Sequence, residues 1–239
     1  MAGGAAPGGG WAAPGLTDVR FREGDPVGGA LAYAANAPVW CVAHICGAAY
    51  ARREVRSGLL LAGLAGNYAL SYAAKRVVGQ PRPQEFCGDL GTCSSPGMPS
   101  THAQFMAFLA GHAAARARLR PASTLRRLEA AALAALAALV AASRVYLGYH
   151  SPAQVAAGAA LGMALGVLWS AAVERAGAAG LLRRLAASPL GEALLLKDSE
   201  GAGEPGRAEA GAPGPGALGS RELAAERRRV LPGPRRKPA

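Results

Sequence analysis

Uncharged apolar runs alternate with short polar stretches over residues 26–173, and this alternation is the dominant pattern of the chain. Residues 26–51 carry no charge and exceed the roughly 20 residues a helix needs to cross a bilayer. Asn36 and Pro38 interrupt them, so a kink is expected there. The basic turn Arg52-Arg53-Glu54-Val55-Arg56 leads into a second run, residues 57–74, which is close to the minimum spanning length and ends at Lys75. Its Asn67, Ser71 and Tyr72 predict contact with protein rather than lipid. The loop 76–98 holds Pro81, Pro83, Pro96 and four glycines, and cannot continue a helix.

A third run starts at Pro99-Ser100-Thr101, which has the form of a helix start with a hydroxyl near the N-cap, and covers residues 102–115. The linker after it carries Arg116, Arg118, Arg120, Arg126 and Arg127, broken by Pro121. The fourth run, residues 130–143, is short and is extended by Leu128 and residues 145–147. After the Gly148-Tyr149-His150 turn, Pro152 opens a fifth run that reaches Val173, proline being favourable at a first helical position. The pattern predicts an all-α, polytopic membrane helix bundle of about five spans occupying residues 26–173. Residues 174–198 alternate leucines with Arg183, Arg184, Glu192 and Lys197 and read as an amphipathic segment on the membrane interface. Residues 199–239 are a basic Gly/Pro-rich tail with too little apolar content to fold.

Composition supports this picture. Hydrophobic residues make up 51% of the 239, aromatics only 5%. Abundant Gly and Ala suit helices whose backbones approach closely in lipid. The net charge of +11 raises nucleic acid as a partner, but the basic residues cluster between apolar runs and in the tail, without an aromatic-interleaved basic face. Loop charge that sets membrane topology explains them better. The arginine-rich turn before the second run and the linker after the third are therefore placed in the cytoplasm. With five spans, residues 1–25 are non-cytoplasmic, the tail is cytoplasmic, and the polar stretches at 75–102 and 144–152 share the non-cytoplasmic face. Residues 1–25 show no basic region leading into an apolar core, so no cleavable signal peptide is read there. Of the four cysteines, Cys41 and Cys46 lie within an apolar run, while Cys87 and Cys93 flank a Gly-containing loop and are either free thiols or a pair facing an oxidising compartment.

Three polar stretches on one face hold the chemistry. Lys75 is a point charge, and Arg82, held extended between Pro81 and Pro83, offers a planar fork to phosphate oxygens. Ser100 and Thr101 stand at a helix start, where backbone amides and the helix dipole favour an anion. Arg144 adds a third cation. A lysine or arginine at a span end ordinarily snorkels to the headgroups; these three instead converge with two histidines, His102 and His150. One imidazole can attack phosphorus while the other protonates the departing oxygen. His44 and His112 fall inside apolar runs, where a hydrogen bond to a neighbouring helix is the ordinary reading. No carboxylate cage for magnesium is present in the sequence, so the site reads as metal-independent and without cofactor.

Lys75-x6-Arg82-Pro83, Pro99-Ser100-Thr101-His102 and Ser143-Arg144-x5-His150 resemble the three motifs of the type 2 phosphatidic acid phosphatase superfamily, in order and with its spacings. Residues 97–106 and 143–150, together with Leu31-Ala32-Tyr33 and residues 189–199, are similar to its dolichyl diphosphate phosphatase branch. The resemblance covers roughly residues 15–199. It implies that His150 is the nucleophile and forms a phosphohistidine, and that His102 is the general acid. It further implies that Lys75, Arg82 and Arg144 hold the phosphate oxygens, assisted by Ser100 and the amide of Thr101. The substrate it implies is a polyprenyl (dolichyl) diphosphate in the membrane of the endoplasmic reticulum, hydrolysed on the lumenal face to recycle the carrier for protein N-glycosylation. Two positions depart from the superfamily pattern: Thr101 stands where Gly is common, and Gln154 where an Asp usually orients the histidine. The dolichyl diphosphate branch is similar in having Gln there, which orients through its carbonyl oxygen without adding charge. A broader lipid phosphatase acting on phosphatidate, and a silent membrane scaffold, are the rival readings; the intact set of Lys, Arg and His argues against the scaffold.

Overall fold

Helices begin and end where backbone chemistry dictates. In the computed structural model, which describes residues 10–14, 19–85 and 87–199, Asp25 caps α1 (Pro26–Ala34) by accepting from Gly28 N–H at 2.8 Å, with Pro26 in the first turn. The chain breaks at Ala35–Asn36 and resumes as α2 (Ala37–Arg52), so the expected kink is a true interruption. α3 (Val55–Val78) ends on Gly79, whose φ of 61° is the left-handed conformation that terminates a helix without a Cβ penalty. α4 (Thr101–Leu119), α5 (Thr124–Tyr146) and α6 (Pro152–Ala178) follow. Ser123 and Ser151 cap α5 and α6 with their hydroxyls, the latter in a reciprocal capping box with Gln154. Two short helices, α7 (Leu181–Ala186) and α8 (Pro189–Ala193), complete the described chain. Ahead of α1, β1 (Trp11–Ala12) and β2 (Phe21–Arg22) pair antiparallel, Trp11 opposite Arg22 and Ala12 opposite Phe21.

The protein is a polytopic membrane helix bundle. Among the described residues, three stretches are long and apolar enough to cross a bilayer: 26–52, which joins α1 to α2, then α5 and α6. α3 and α4, at 24 and 19 residues, have spanning length but carry more polar side chains. α4 explains why. It runs through the middle of the bundle, with Met106, Phe108 and Leu109 buried against Leu64, Ala37 and Val140, so its composition is set by protein neighbours rather than lipid. Against α4 lies one face of α6: Gly158, Gly162 and Gly166. A Cβ on any of these would collide with the backbone carbonyl oxygen of Ser100, Gln104 or Phe108. The seam between α4 and α6 is thus a contact of backbone on backbone, the use small residues have in lipid.

The two ends of the bundle differ in chemistry. At the end where α3 begins, Arg56 bridges Glu174 at 3.1 Å and Asp198 at 3.4 Å, while Arg120 also reaches Glu174 at 3.0 Å. Val55 N–H donates to Lys197 O and Lys197 N–H to Arg53 O, which fastens the stretch after α8 to the turn between α2 and α3. α6 runs five residues past Val173 (178 − 173), because the charge on Glu174 is answered by these arginines and does not end the helix. Leu182 is buried beside Val55 and Val173, whereas Leu181, Leu185, Leu190, Leu194 and Leu195 are exposed. The basic tail, apart from Ser199, lies outside the described residues. At the other end, Val19, Ala32, Ala35, Leu90, Leu147 and Tyr149 form a small core that ties the N-terminal ribbon to the loops carrying the polar stretches.

Candidate active site

All three polar stretches meet at this second end. Lys75 comes from the last turn of α3 and donates to the carbonyl oxygens of Pro96 at 3.0 Å and Gly97 at 3.4 Å. Arg82 sits in the loop between α3 and α4; its Nε donates to Ser95 Oγ at 3.0 Å, and its Nη1 reaches the Tyr149 carbonyl at 3.0 Å and His150 Nε2 at 3.1 Å. Ser100 is the N-cap of α4, yet its hydroxyl makes no capping bond and is fully buried without a partner. Thr101 Oγ1 bonds Ser71 Oγ at 3.0 Å, locking the start of α4 to α3. His102 follows in the first turn of α4, close enough to Arg144, Arg82 and Lys75 for all three to act on its charge. Arg144 ends α5, only 3% exposed, and its Nε and Nη1 have no partner.

The network around His150 fixes its tautomer. Gln154 Nε2 donates to Pro81 O at 2.7 Å and Gln80 Oε1 at 3.1 Å, so its amide can be turned only one way. Gln154 Oε1 therefore faces the Ser151 N–H and the His150 Nδ1, each at 3.3 Å. Nδ1 carries the hydrogen, and the Nε2 lone pair points at the Arg82 guanidinium. Burial, then the charges of Arg82, Arg144 and Lys75, push the His150 imidazolium down to about 2, against the smaller upward pull of the Gln154 bond. His150 is consequently a neutral imidazole at ordinary pH, with its Nε2 electron pair engaged by Arg82. Close approach matters here: a Cβ on Gly97 would lie 2.5 Å from the Gln154 amide atoms.

Sequence reasoning left Tyr149 without a role, and the structure gives it three. Its ring lies under the Arg144 guanidinium at 4.0 Å, its hydroxyl accepts from Arg20 N–H at 2.7 Å, and its carbonyl holds Arg82. Its adjacency to His150 was the available signal. Ser95 and Gln80 were also missed, since each acts only through a partner outside its own stretch, whereas Ser71, expected to meet protein rather than lipid, does so at Thr101. Cys87 and Cys93, left open by the sequence, form a disulfide. It closes the turn just before Ser95, Pro96 and Gly97, which hold Arg82 and Lys75.

Three cations and two imidazoles thus line one buried cup, with donors on Arg144 and a hydroxyl on Ser100 awaiting acceptors. Such a cup binds a tetrahedral oxyanion and presents a nucleophilic nitrogen to it. The chain belongs to the PAP2 superfamily, whose model matches residues 57–178, the span that holds the whole cup. It is similar to human "Dolichyldiphosphatase 1", 32% identical over 200 residues that cover 79% of this chain and 82% of the relative. "Lipid phosphate phosphatase gamma" of Arabidopsis thaliana is 36% identical over 167 residues, covering 64% of this chain and 70% of the relative. Among solved structures, the transmembrane PAP2 type phosphatidylglycerolphosphate phosphatase of Bacillus subtilis superposes with a TM-score of 0.52. At 22% identity over 63% of this chain and 79% of that one, it speaks to the fold alone.

Proposed function

We propose that the protein hydrolyses dolichyl diphosphate to dolichyl phosphate and phosphate, recycling the lipid carrier of protein N-glycosylation. The observation that carries the phosphate chemistry is the buried Arg144 guanidinium, with two unpartnered nitrogens, in one cup with the lone pair of His150 Nε2. The substrate rests on the relatives named Dolichyldiphosphatase 1, which this chain matches over about four-fifths of its length.

In the reaction, the terminal phosphate binds among Lys75, Arg82 and Arg144, with Ser100 Oγ and the Thr101 amide as further donors. Its oxygens take over the Arg82 donor and release Nε2. The Nε2 pair then attacks phosphorus, a P–N bond forms, and the bridging P–O bond breaks. His102, which takes up a proton as the negative charge of the diphosphate enters among the three cations, gives that proton to the departing dolichyl phosphate oxygen. Nδ1–H stays on Gln154 Oε1, which holds the ring in line while it carries positive charge. Water, deprotonated by His102, next attacks phosphorus, cleaves the P–N bond and restores His150.

The site faces the lumen of the endoplasmic reticulum. The Cys87–Cys93 pair beside it supports this orientation, because disulfides persist in oxidising compartments, as does the arginine-rich linker between α4 and α5. In this topology residues 1–25 are lumenal, residues 26–173 form the catalytic domain, residues 174–198 lie on the cytoplasmic interface, and residues 199–239 extend into the cytoplasm. The Arabidopsis relative makes phosphatidate the substrate to compare. Release of phosphate from dolichyl diphosphate and from phosphatidate is measured in one detergent with purified protein and His150→Ala. Preference for phosphatidate overturns the substrate, and an active His150→Ala overturns the mechanism.

A further inference from the structure

α3 stands off from α6. The two meet through Trp169 of α6, whose indole Nε1 donates to Leu59 O at 3.0 Å. Gly63 makes this crossing possible, since a Cβ there would lie 2.5 Å from the indole nitrogen. Between the helices lies an open groove of about 400 Å³, walled by Ala62, Gly66 and Leu70 of α3 and by Leu165 and Leu168 of α6, with Phe108 of α4 as its floor. That volume lies within the range of ligand pockets. Nothing stands within 4 Å of where a Gly66 Cβ would project, so the glycine keeps this wall open.

The groove lies along α3 on the side of Leu70 that approaches the cup. Along α3, Asn67, Ser71 and Lys75 recur every four residues on one face, which the helix places one above another. Asn67 accepts from Gln104 at 2.9 Å, Ser71 shares a bond with Thr101, and Lys75 is in the cup. At a rise of 1.5 Å per residue, the stretch from Leu70 to Ala62 is about 12 Å long, and its upper end lies about 7.5 Å below Lys75. The walls carry no charge. An uncharged, largely apolar lining of this length suits a hydrocarbon chain rather than a second headgroup.

We propose that this groove holds the isoprene units beyond the first while the diphosphate sits in the cup, so that Gly66 and the Trp169 crossing select the chain. The proposal rests on the reading of the protein as a prenyl diphosphate phosphatase and adds the part of the molecule that recognises the lipid. A side chain at position 66 fills the groove without striking protein, and replacing a helical glycine does not weaken the helix.

The test compares dimethylallyl diphosphate, too short to occupy the groove, with geranylgeranyl diphosphate, which is long enough. Phosphate release is measured for the full-length wild-type protein, Gly66→Ala and Gly66→Leu. The expected result is a KM for geranylgeranyl diphosphate raised about tenfold in Gly66→Leu and less in Gly66→Ala, with kcat kept and KM for dimethylallyl diphosphate within about twofold. Retained turnover of the short substrate shows that the variants fold. Equal change for both substrates, or for neither, overturns the groove and leaves an ordinary membrane lipid as its occupant. A wild-type protein that hydrolyses phosphatidate but neither prenyl diphosphate overturns the functional reading itself, and the groove with it.

Discussion

Arg82 Nη1 stands 3.1 Å from Nε2 of His150, so the nitrogen that would attack phosphorus is held by a group that would bind phosphate. In the proposed mechanism, substrate takes the arginine away from the histidine before chemistry starts, so that binding and unmasking of His150 would be one event.

The two histidines separate by leaving group. His150→Ala should reduce phosphate release from every substrate to background. His102→Ala should lower kcat on a prenyl diphosphate by about 10² to 10⁴, the usual contribution of a positioned acid. It should cost much less with p-nitrophenyl phosphate, whose leaving oxygen needs no proton. Equal losses on both substrates would show that His102 does not act as the acid.

The depressed His150 sets a sign for pH. Because its folded value, about 2, lies below the ordinary 6.5, the linked stability is fully present above pH 6.5 and is lost as pH falls from there toward 2. The loss approaches about 1.4 kcal/mol per pH unit in that window. Thermal midpoints at pH 7.5 and 5 should therefore drop further for the wild-type protein than for His150→Ala. Gln154→Glu places an anion on Nδ1, raises the His150 value, and should introduce an acid limb into the kcat/KM profile that the wild-type protein lacks.

Vanadate reports on Arg144. With its Nε and Nη1 unpartnered in the free protein, Arg144→Ala should weaken vanadate inhibition about 10- to 100-fold, as expected for charge-assisted bonds. Arg144→Lys should recover little of it, since an ammonium lacks the fork and the flat face that stacks on Tyr149.

Reductant should act on phosphate affinity. Opening Cys87–Cys93 frees the loop that holds Arg82 through Ser95 and Lys75 through Pro96 and Gly97. Dithiothreitol, or Cys87→Ser with Cys93→Ser, should raise KM and the inhibition constant for vanadate together. An unchanged KM would show that the loop keeps its shape without the crosslink.

What the sequence made legible is local. Lys75, Arg82, His102, Arg144 and His150 could be chosen because charges and imidazoles at the ends of apolar runs are costly unless used. The break at Ala35–Asn36 followed from Asn36 and Pro38. What escaped depends on distant partners. Tyr149 matters because Arg20, 129 positions away, donates to its hydroxyl. α6 overran its expected end because Glu174 finds Arg56 and Arg120. Ser100 read as a cap for α4, but the structure leaves its hydroxyl unspent, while Ser123 and Ser151 spend theirs on α5 and α6.

The glycine seam has a consequence for the histidines. His102 rides on the first turn of α4, and His150 stands two residues before α6 begins. Gly158, Gly162 and Gly166 decide how near those helices come. One methyl group at Gly162, which faces the Gln104 carbonyl two residues past His102, would lever the helices apart and spread the histidines at the mouth. The spacing of the proposed catalytic pair is thus written in side-chain atoms that three glycines lack.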